Sequence, residues 1–402
     1  MEVLSLEEHL LEHAKKGYLE AVQYYVTQGV NINCKGKNDF TPLHMATMNG
    51  RTKVVRYLVD SGADLEARTG NYHTPLLLAI FYGHADTAKY LVGIGAKLKV
   101  RDHFGDSPLH LAVYKGHTDM AKYLVESGAK LEARTNDGGT PLHGAAYYGQ
   151  TNTAEYLVKV GANLDARTND YRAPVHLAAV KGHTDTVRYL IQIGANPDTT
   201  TMEGVTPLHW AAYSGHMNTV KCLIEAGANV EARTNDQSTP SHKAAWAGRT
   251  DVIKYLKEKG ANVDSKDEVK NTPLHLAAMK GHSCTTKFLV DSGVDMDAKN
   301  KVHNTALHLS AMYGHLNVVK CLVESGANLD ARDQHCDTPL HFAAMKGQIE
   351  TAKYLAVNGA NLEAKNKRGY TPFKVATVRG KKDCELIMLE SANNLQKNKG
   401  SS

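Results

Sequence analysis

Short clusters of apolar residues return along this chain at a fixed interval. In one stretch Leu43 and Ala46 follow Thr41-Pro42, then Val54, Val55, Leu58 and Val59 follow Gly50, and polar residues fill the space up to the next cluster. Thr41 suits a helix N-cap, and Pro42 suits the first helical turn, where its missing N–H is harmless. Gly50 ends this first short helix. The apolar spacing predicts a second, amphipathic helix over Thr52 to Val59, stopped by Gly62. Ala63 to Arg68 reads as an extended arm entering a polar turn at Thr69-Gly70-Asn71-Tyr72. The unit is helix, turn, helix, hairpin loop. Two short helices cannot bury an apolar face alone, so each unit must stack on its neighbours.

The unit repeats without insertion or deletion. Thr41-Pro42-Leu43-His44 returns at Thr74, Ser107, Thr140, Ala173, Thr206, Thr239, Thr272, Thr305, Thr338 and Thr371, eleven copies spaced by 33 residues. A glycine lies nine residues after every start, from Gly50 to Gly380, and a second closes ten of the copies, from Gly62 to Gly359. Gly17 and Gly29 keep the same phase, so residues 1–35 read as a degenerate repeat.

A 33-residue unit opening T-P-L-H-x-A resembles the ankyrin repeat, over nearly the whole chain. The resemblance implies an all-α solenoid of about twelve repeats and a non-enzymatic protein-interaction scaffold. In that family partners bind the concave face, at the loop tips and the exposed side of the first helix. The expected division is an N-terminal capping repeat over residues 1–35, ten repeats over 36–365, a C-terminal capping repeat over 366–396 and a disordered tail over 397–402. Ser5 with Glu8 forms a capping-box pattern for the first helix. Glu7, Glu8, Glu12, Lys15 and Lys16 polarise its outer side, as a terminal repeat needs.

Composition narrows the class. Of 402 residues, 42% are apolar and 22% charged, as in a folded protein. The net charge of +5 is too mild to imply a nucleic-acid or membrane partner. There is no apolar run long enough to span a membrane and no signal-peptide pattern at the start. The six cysteines show no CxxC pairing and read as reduced thiols. The expectation is a cytoplasmic monomer with a protein partner, no cofactor and no small-molecule substrate.

Of 21 histidines, nine are the T-P-L-H residue and six follow the first glycine, as in His84, His117 and His183. One imidazole per repeat is too sparse to ligate a shared metal. The resemblance implies that the T-P-L-H histidine bonds the neighbouring loop. No nucleophile motif, phosphate loop or H-E-x-x-H occurs. Two basic rows recur. In one, Lys35, Arg68, Arg101, Arg134 and their equivalents recur six residues before each start, and most of them lie two residues after an acid such as Glu66 or Glu132, which predicts a mostly neutralised ladder. In the other, on the second helices, Lys122–Glu126, Lys254–Glu258 and Lys320–Glu324 are spaced as helix pairs. Docking of these rows on an acidic membrane or nucleic acid is the alternative reading. Cys222 and Cys321 replace the aromatic of Tyr57, Tyr90 and Tyr123 and read as small core residues.

The more informative row is aromatic. Seven and eight residues after each start stand Phe81, Tyr82, Tyr114, Tyr147, Tyr148, Tyr213, Trp246 and Tyr313, with Met48, Met279, Met312 and Met345, and with Lys115, Lys181 and Lys280 among them. The resemblance places these slots in the concave groove, and exposed aromatics and methionines are what interfaces are built from. Trp210 lies in the repeat before Trp246. The Trp246 repeat reads Thr239-Pro240-Ser241-His242-Lys243, with polar residues where others are mostly apolar. The expected centre of binding is therefore Tyr147, Tyr148, Trp210, Tyr213, Lys243 and Trp246.

Overall fold

A computed structural model of the chain describes residues 5–399. Among these residues there are twenty-four α-helices and no strand. The expected pairs are present in every repeat, as in Pro42–Met48 with Thr52–Asp60 and Pro75–Phe81 with Ala85–Gly93. The chain groups into two compact units, residues 1–195 and 196–402. Within each, first helices pack on first helices and second helices on second.

Small side chains make that stacking close. Ala79, Ala112, Ala145 and Ala178 in the first unit and Ala211, Ala244 and Ala277 in the second are fully buried on first helices, and Leu58, Leu91, Leu124, Leu157, Leu190, Leu223 and Leu256 are fully buried on second helices. Ser5 and Glu8 form the expected capping box at the first helix, Leu6–Lys16. The last helix runs Lys382–Lys399, so residues 397–399 of the expected tail are helical and 400–402 lie outside the described residues.

The T-P-L-H histidine plays two parts at once. Thr41 donates its backbone N–H to His44 Nδ1 at 3.2 Å, and His44 Nε2 donates to the carbonyls of Ala67 and His73 at 3.0 and 3.1 Å. The same pattern joins His110 to Gly139, His143 to Arg172, and His242 to Asn271. One imidazole thus caps its own helix and holds the hairpin that follows. Burial pushes the pKa of His44, His110, His143, His209, His242 and His308 down to about 4, so the rings are neutral.

The histidine after the first glycine reaches back one repeat. His84 Nε2 donates to the Met48 carbonyl at 3.0 Å, His183 to Tyr147 at 2.9 Å and His282 to Trp246 at 3.0 Å. These are orphan carbonyls at the ends of first helices. The ring lies against the glycine of that earlier repeat. A Cβ on Gly248, whose φ is +69°, would come within 2.6 Å of His282 Nδ1. Both the left-handed backbone and the neighbouring imidazole therefore require glycine there.

Three expectations change. The arm is not simply extended: Asp64, Asn163, Asn229 and Asn262 each accept from the backbone N–H two residues on, which folds a tight turn into it. Glu66, Glu132 and Glu231 are consequently aimed away from the arginines. Their carboxylates accept from the backbone N–H of Lys97, Asn163 and Asn262, 31 residues on in the next repeat. The arginines grip carbonyls instead. Arg134 Nη1 donates to Gly138 O at 3.1 Å and to Arg167 O at 2.6 Å, and Arg233 does the same to Gln237 and Lys266. Most of the row is structural, as backbone clasps, while Lys35 pairs with Asp39 and Arg68 lies over Tyr72.

The second-helix row also pairs differently. Lys122 and Lys254 meet Asp119 and Asp251 three residues earlier, at 3.8 and 3.5 Å, not the glutamates four residues later. Each also lies over the ring of the next repeat, Tyr156 or Phe288. A lysine N-terminal to its acid is the weaker i,i+4 order, and the ring offers an alternative. Lys287 faces Cys321, which has no ring, and it takes Asp291 at 2.9 Å. Cys222 is buried as expected, whereas Cys321 is only half-buried.

Candidate functional site

The aromatic row stands at the C-terminal ends of the first helices, just before the glycine turn. Short helices that start at a fixed Thr-Pro must expose their seventh and eighth positions in the same place in every repeat. Phe81, Tyr82, Tyr147, Tyr148, Tyr213, Trp246 and Tyr313 are each between 38% and 49% exposed. Met48, Met279, Met312 and Met345 at the same slots are half-buried.

In the first unit five of the expected residues form two clusters, a pair and a triad. Phe81 and Tyr82 stand edge to face at 5.2 Å, and Lys115 Nζ lies 3.8 Å over the Phe81 ring. Tyr147 and Tyr148 are edge to face at 5.0 Å, and Tyr114 tilts against Tyr148 at 5.2 Å. Lys181 Nζ lies 4.4 Å over Tyr147. Tyr114 differs from the others in being half-buried, with its hydroxyl donating to Asp106 Oδ1 at 2.8 Å. Burial raises the Asp106 carboxyl to about 6, with the neighbouring Asp102 adding to the rise, although the Tyr114 hydroxyl opposes it.

In the second unit the expected residues are more dispersed. Lys280 Nζ lies 3.8 Å over the Trp246 ring. Tyr313 stacks on His315 at 6.1 Å, and the Tyr213 carbonyl accepts from Arg249 Nε at 3.1 Å. Trp210 is half-buried. Lys243 turns to the hairpin, 3.7 Å from Asp236 Oδ2. Burial alone would raise Asp236, but the Thr234 hydroxyl, Lys243 and Ser238 hold it below the usual carboxylate range. Of the expected centre, Tyr147 and Tyr148 belong to the first unit and Trp210, Tyr213, Lys243 and Trp246 to the second.

A pattern links the rings to the cations. Wherever Phe81, Tyr147 or Trp246 stands seven residues after a start, the next repeat supplies Lys115, Lys181 or Lys280 over its face. None of these three ammonium groups has a carboxylate within ion-pair distance among the described residues. The rings are held in place while their edges stay open to solvent.

Beside the tyrosines lies a pocket of about 370 Å³ between first helices and hairpin tips, lined by Tyr114, Tyr147, Tyr148, Asp137, Asp170, Arg172 and Leu177 among others. Two glycines also line it. Gly139 and Gly144 stand where the adjacent repeats carry Asp106 and Arg172, and Leu111 and Leu177. A Cβ at Gly144 would come within 2.4 Å of Tyr114 Cε1. Sequence reasoning passed over these residues. The signal was there, in a Gly-Gly before Thr140 and a glycine inside Pro141–Tyr147, where helix propensity disfavours it. No group of three or more His, Cys, Asp or Glu side chains placed to hold a metal occurs among the described residues.

Comparison with known proteins agrees with the repeat architecture. The family model for ankyrin repeats (3 copies) matches residues 10–102, 94–168, 175–267 and 242–333, and that for ankyrin repeats (many copies) matches 311–356. A solved structure, the human ASB11 ankyrin repeat domain, is 32% identical with a TM-score of 0.51, over 55% of this chain and 98% of that one. No curated protein sequence matches. Matched by the family's models over most of its length, and built of the paired helices and hairpins its sequence repeats, this chain is an ankyrin repeat protein.

Proposed function

We propose that the protein is a non-enzymatic scaffold that binds a protein partner in the concave groove formed by its first helices and hairpin tips. The observation that carries this reading is the exposed aromatic row, with three of its rings pinned under lysines of the next repeat. Large rigid side chains held half in solvent lose little entropy on binding and bury much area. The basic rows support the alternative less well, because their cations are engaged by backbone carbonyls, rings and aspartates. Six free thiols fit a reducing compartment, and we read the protein as a cytoplasmic monomer.

The test compares Tyr148→Ala and Trp246→Ala with Lys122→Ala on a second helix. Partners captured by the wild-type chain are identified by mass spectrometry, and their affinity is measured for each variant. A hot-spot ring should cost about 2 kcal/mol of binding, and Lys122→Ala should cost nothing measurable. If Lys122→Ala weakens binding and both ring variants do not, the second-helix face is the binding surface instead.

A further inference from the structure

We propose that the tyrosine pocket of the first unit receives a basic side chain, lysine or arginine, from the partner polypeptide. The proposal rests on the groove reading above and names the chemistry of one contact within it.

Two glycines stand in the pocket's wall, and Gly144 makes room for the Tyr114 ring that lines it. Gly139 and Gly144 replace residues that fill the same places in the adjacent repeats, and the Tyr114 ring settles over Gly144. Tyr114, Tyr147 and Tyr148 wall one side. The Tyr114 hydroxyl is spent on Asp106, so that residue offers its ring rather than its polar end. Leu177 adds apolar wall, while Thr135, Thr168 and Asn169 make the rest polar. At about 370 Å³ the space is near the lower end of the usual range for binding pockets, about 300 to 1,000 Å³, which suits one long side chain better than an extended segment.

Charge decides which side chain. The lining holds two carboxylates, Asp137 and Asp170, against one guanidinium, Arg172. Arg172 is already 3.7 Å from Asp170, whereas the Asp137 carboxylate has no ion pair or hydrogen bond among the described residues. Lys115 and Lys181, the nearest cations of the aromatic row, lie over ring faces and do not line the pocket. A carboxyl-bearing guest would meet Asp137 without compensation. A purely apolar guest would leave Asp137 without a partner beside it, whereas Thr135 and Asn169 are already bonded to Gly139 and Asn136. Lysine and arginine match both halves, with an aliphatic stem against the rings and Leu177 and a cationic head at Asp137, where the tyrosine rings also attract it.

The experiment uses the full chain and four fluorescent pools of random heptapeptides, with the central residue fixed as Arg, Lys, norleucine or Glu. Dissociation constants are measured by anisotropy. The Arg and Lys pools should bind at least tenfold more tightly than the norleucine and Glu pools. Asp137→Asn and Tyr148→Ala should each abolish that preference, with the melting temperature unchanged for Asp137→Asn, whose side chain is exposed, and lowered slightly for Tyr148→Ala, which gives up its packing on Tyr114 and Tyr147. Equal binding of the norleucine or Glu pool, or a preference that survives Asp137→Asn, overturns the proposal while leaving the groove reading to its own capture test. No binding of any pool at millimolar concentration also overturns it. Loss of partner capture on Tyr148→Ala and Trp246→Ala would then show that the groove still works by other contacts.

Discussion

Ser241 and Lys243 stand side by side in a segment that the repeat otherwise makes mostly apolar, and the protein treats them differently. Lys243 leaves the helix for Asp236. Ser241 is fully buried, and its hydroxyl has no partner among the described residues. A buried unsatisfied hydroxyl costs about 1–3 kcal/mol. Ser241→Ala should therefore raise stability, by about 1 kcal/mol in a urea melt, and a loss would mean that the hydroxyl is bound in solution. Trp246 should matter little to the fold. Its replacement by alanine removes the contact with Lys280, worth about 0.5–1 kcal/mol at an exposed site, and a larger loss in thermal unfolding would place the ring in the core. At this scale the sequence marked the oddity of both residues but not its resolution. Which polar group finds a partner depends on Asp236, a hairpin residue that precedes Lys243 in the chain and reaches it only once the loop is folded back.

Helices were the legible elements because their signals are local. Thr-Pro at the start, glycine at the end and apolar spacing between them fixed Pro42–Met48 and Thr52–Asp60 to within a residue. The connecting arms were misread for the opposite reason. An alternation of Glu66 and Arg68 suggested one extended face, yet the Asp64 side chain bends the arm and sends Glu66 to the Lys97 backbone and Arg68 over the Tyr72 ring. Gly144 was missed similarly, since it matters for the Tyr114 ring that the preceding repeat places over it. Glycine turns offer a clean test of such neighbour effects. Gly248 and Gly260 both have positive φ, but only at Gly248 would a Cβ strike another residue, the His282 ring. Gly260→Ala should cost about 1–2 kcal/mol for the left-handed backbone alone. Gly248→Ala should cost measurably more in equilibrium unfolding, and equal losses would remove the imidazole from the argument.

For the whole molecule the buried imidazoles add up. Six of them take a proton only near pH 4 when folded, whereas an unfolded histidine does so near 6.5. Between those values the unfolded chain binds more protons, so stability is full above about pH 6.5 and falls as the pH drops toward 4. Each histidine contributes up to about 1.4 kcal/mol per pH unit within that window. Asp106, raised to about 6, and Asp264, Asp267 and Asp333, also raised by burial, act in the opposite sense. Burial lowers His275 and His341 as well, so the histidines outnumber them. Melting temperatures from pH 7.5 to 4.5 should fall steeply below 6.5, and a flat profile would contradict neutral buried rings. The bonds between repeats carry a second consequence. Glycine-side caps span 36 residues, threonine pairs 35, arginine clasps 33 and carboxylate clasps 31, always the same numbers within a unit. One inserted residue would throw all four kinds out of register at once, while a whole inserted repeat would disturb none. The chain's length is in this sense quantised, which gives a structural reason for its unbroken phase from Thr41 to Thr371. Deleting residues 102–134 removes one quantum and should leave a cooperatively melting protein. Deleting 102–133 removes one residue fewer and should melt at a lower temperature than the deletion that takes more of the chain away.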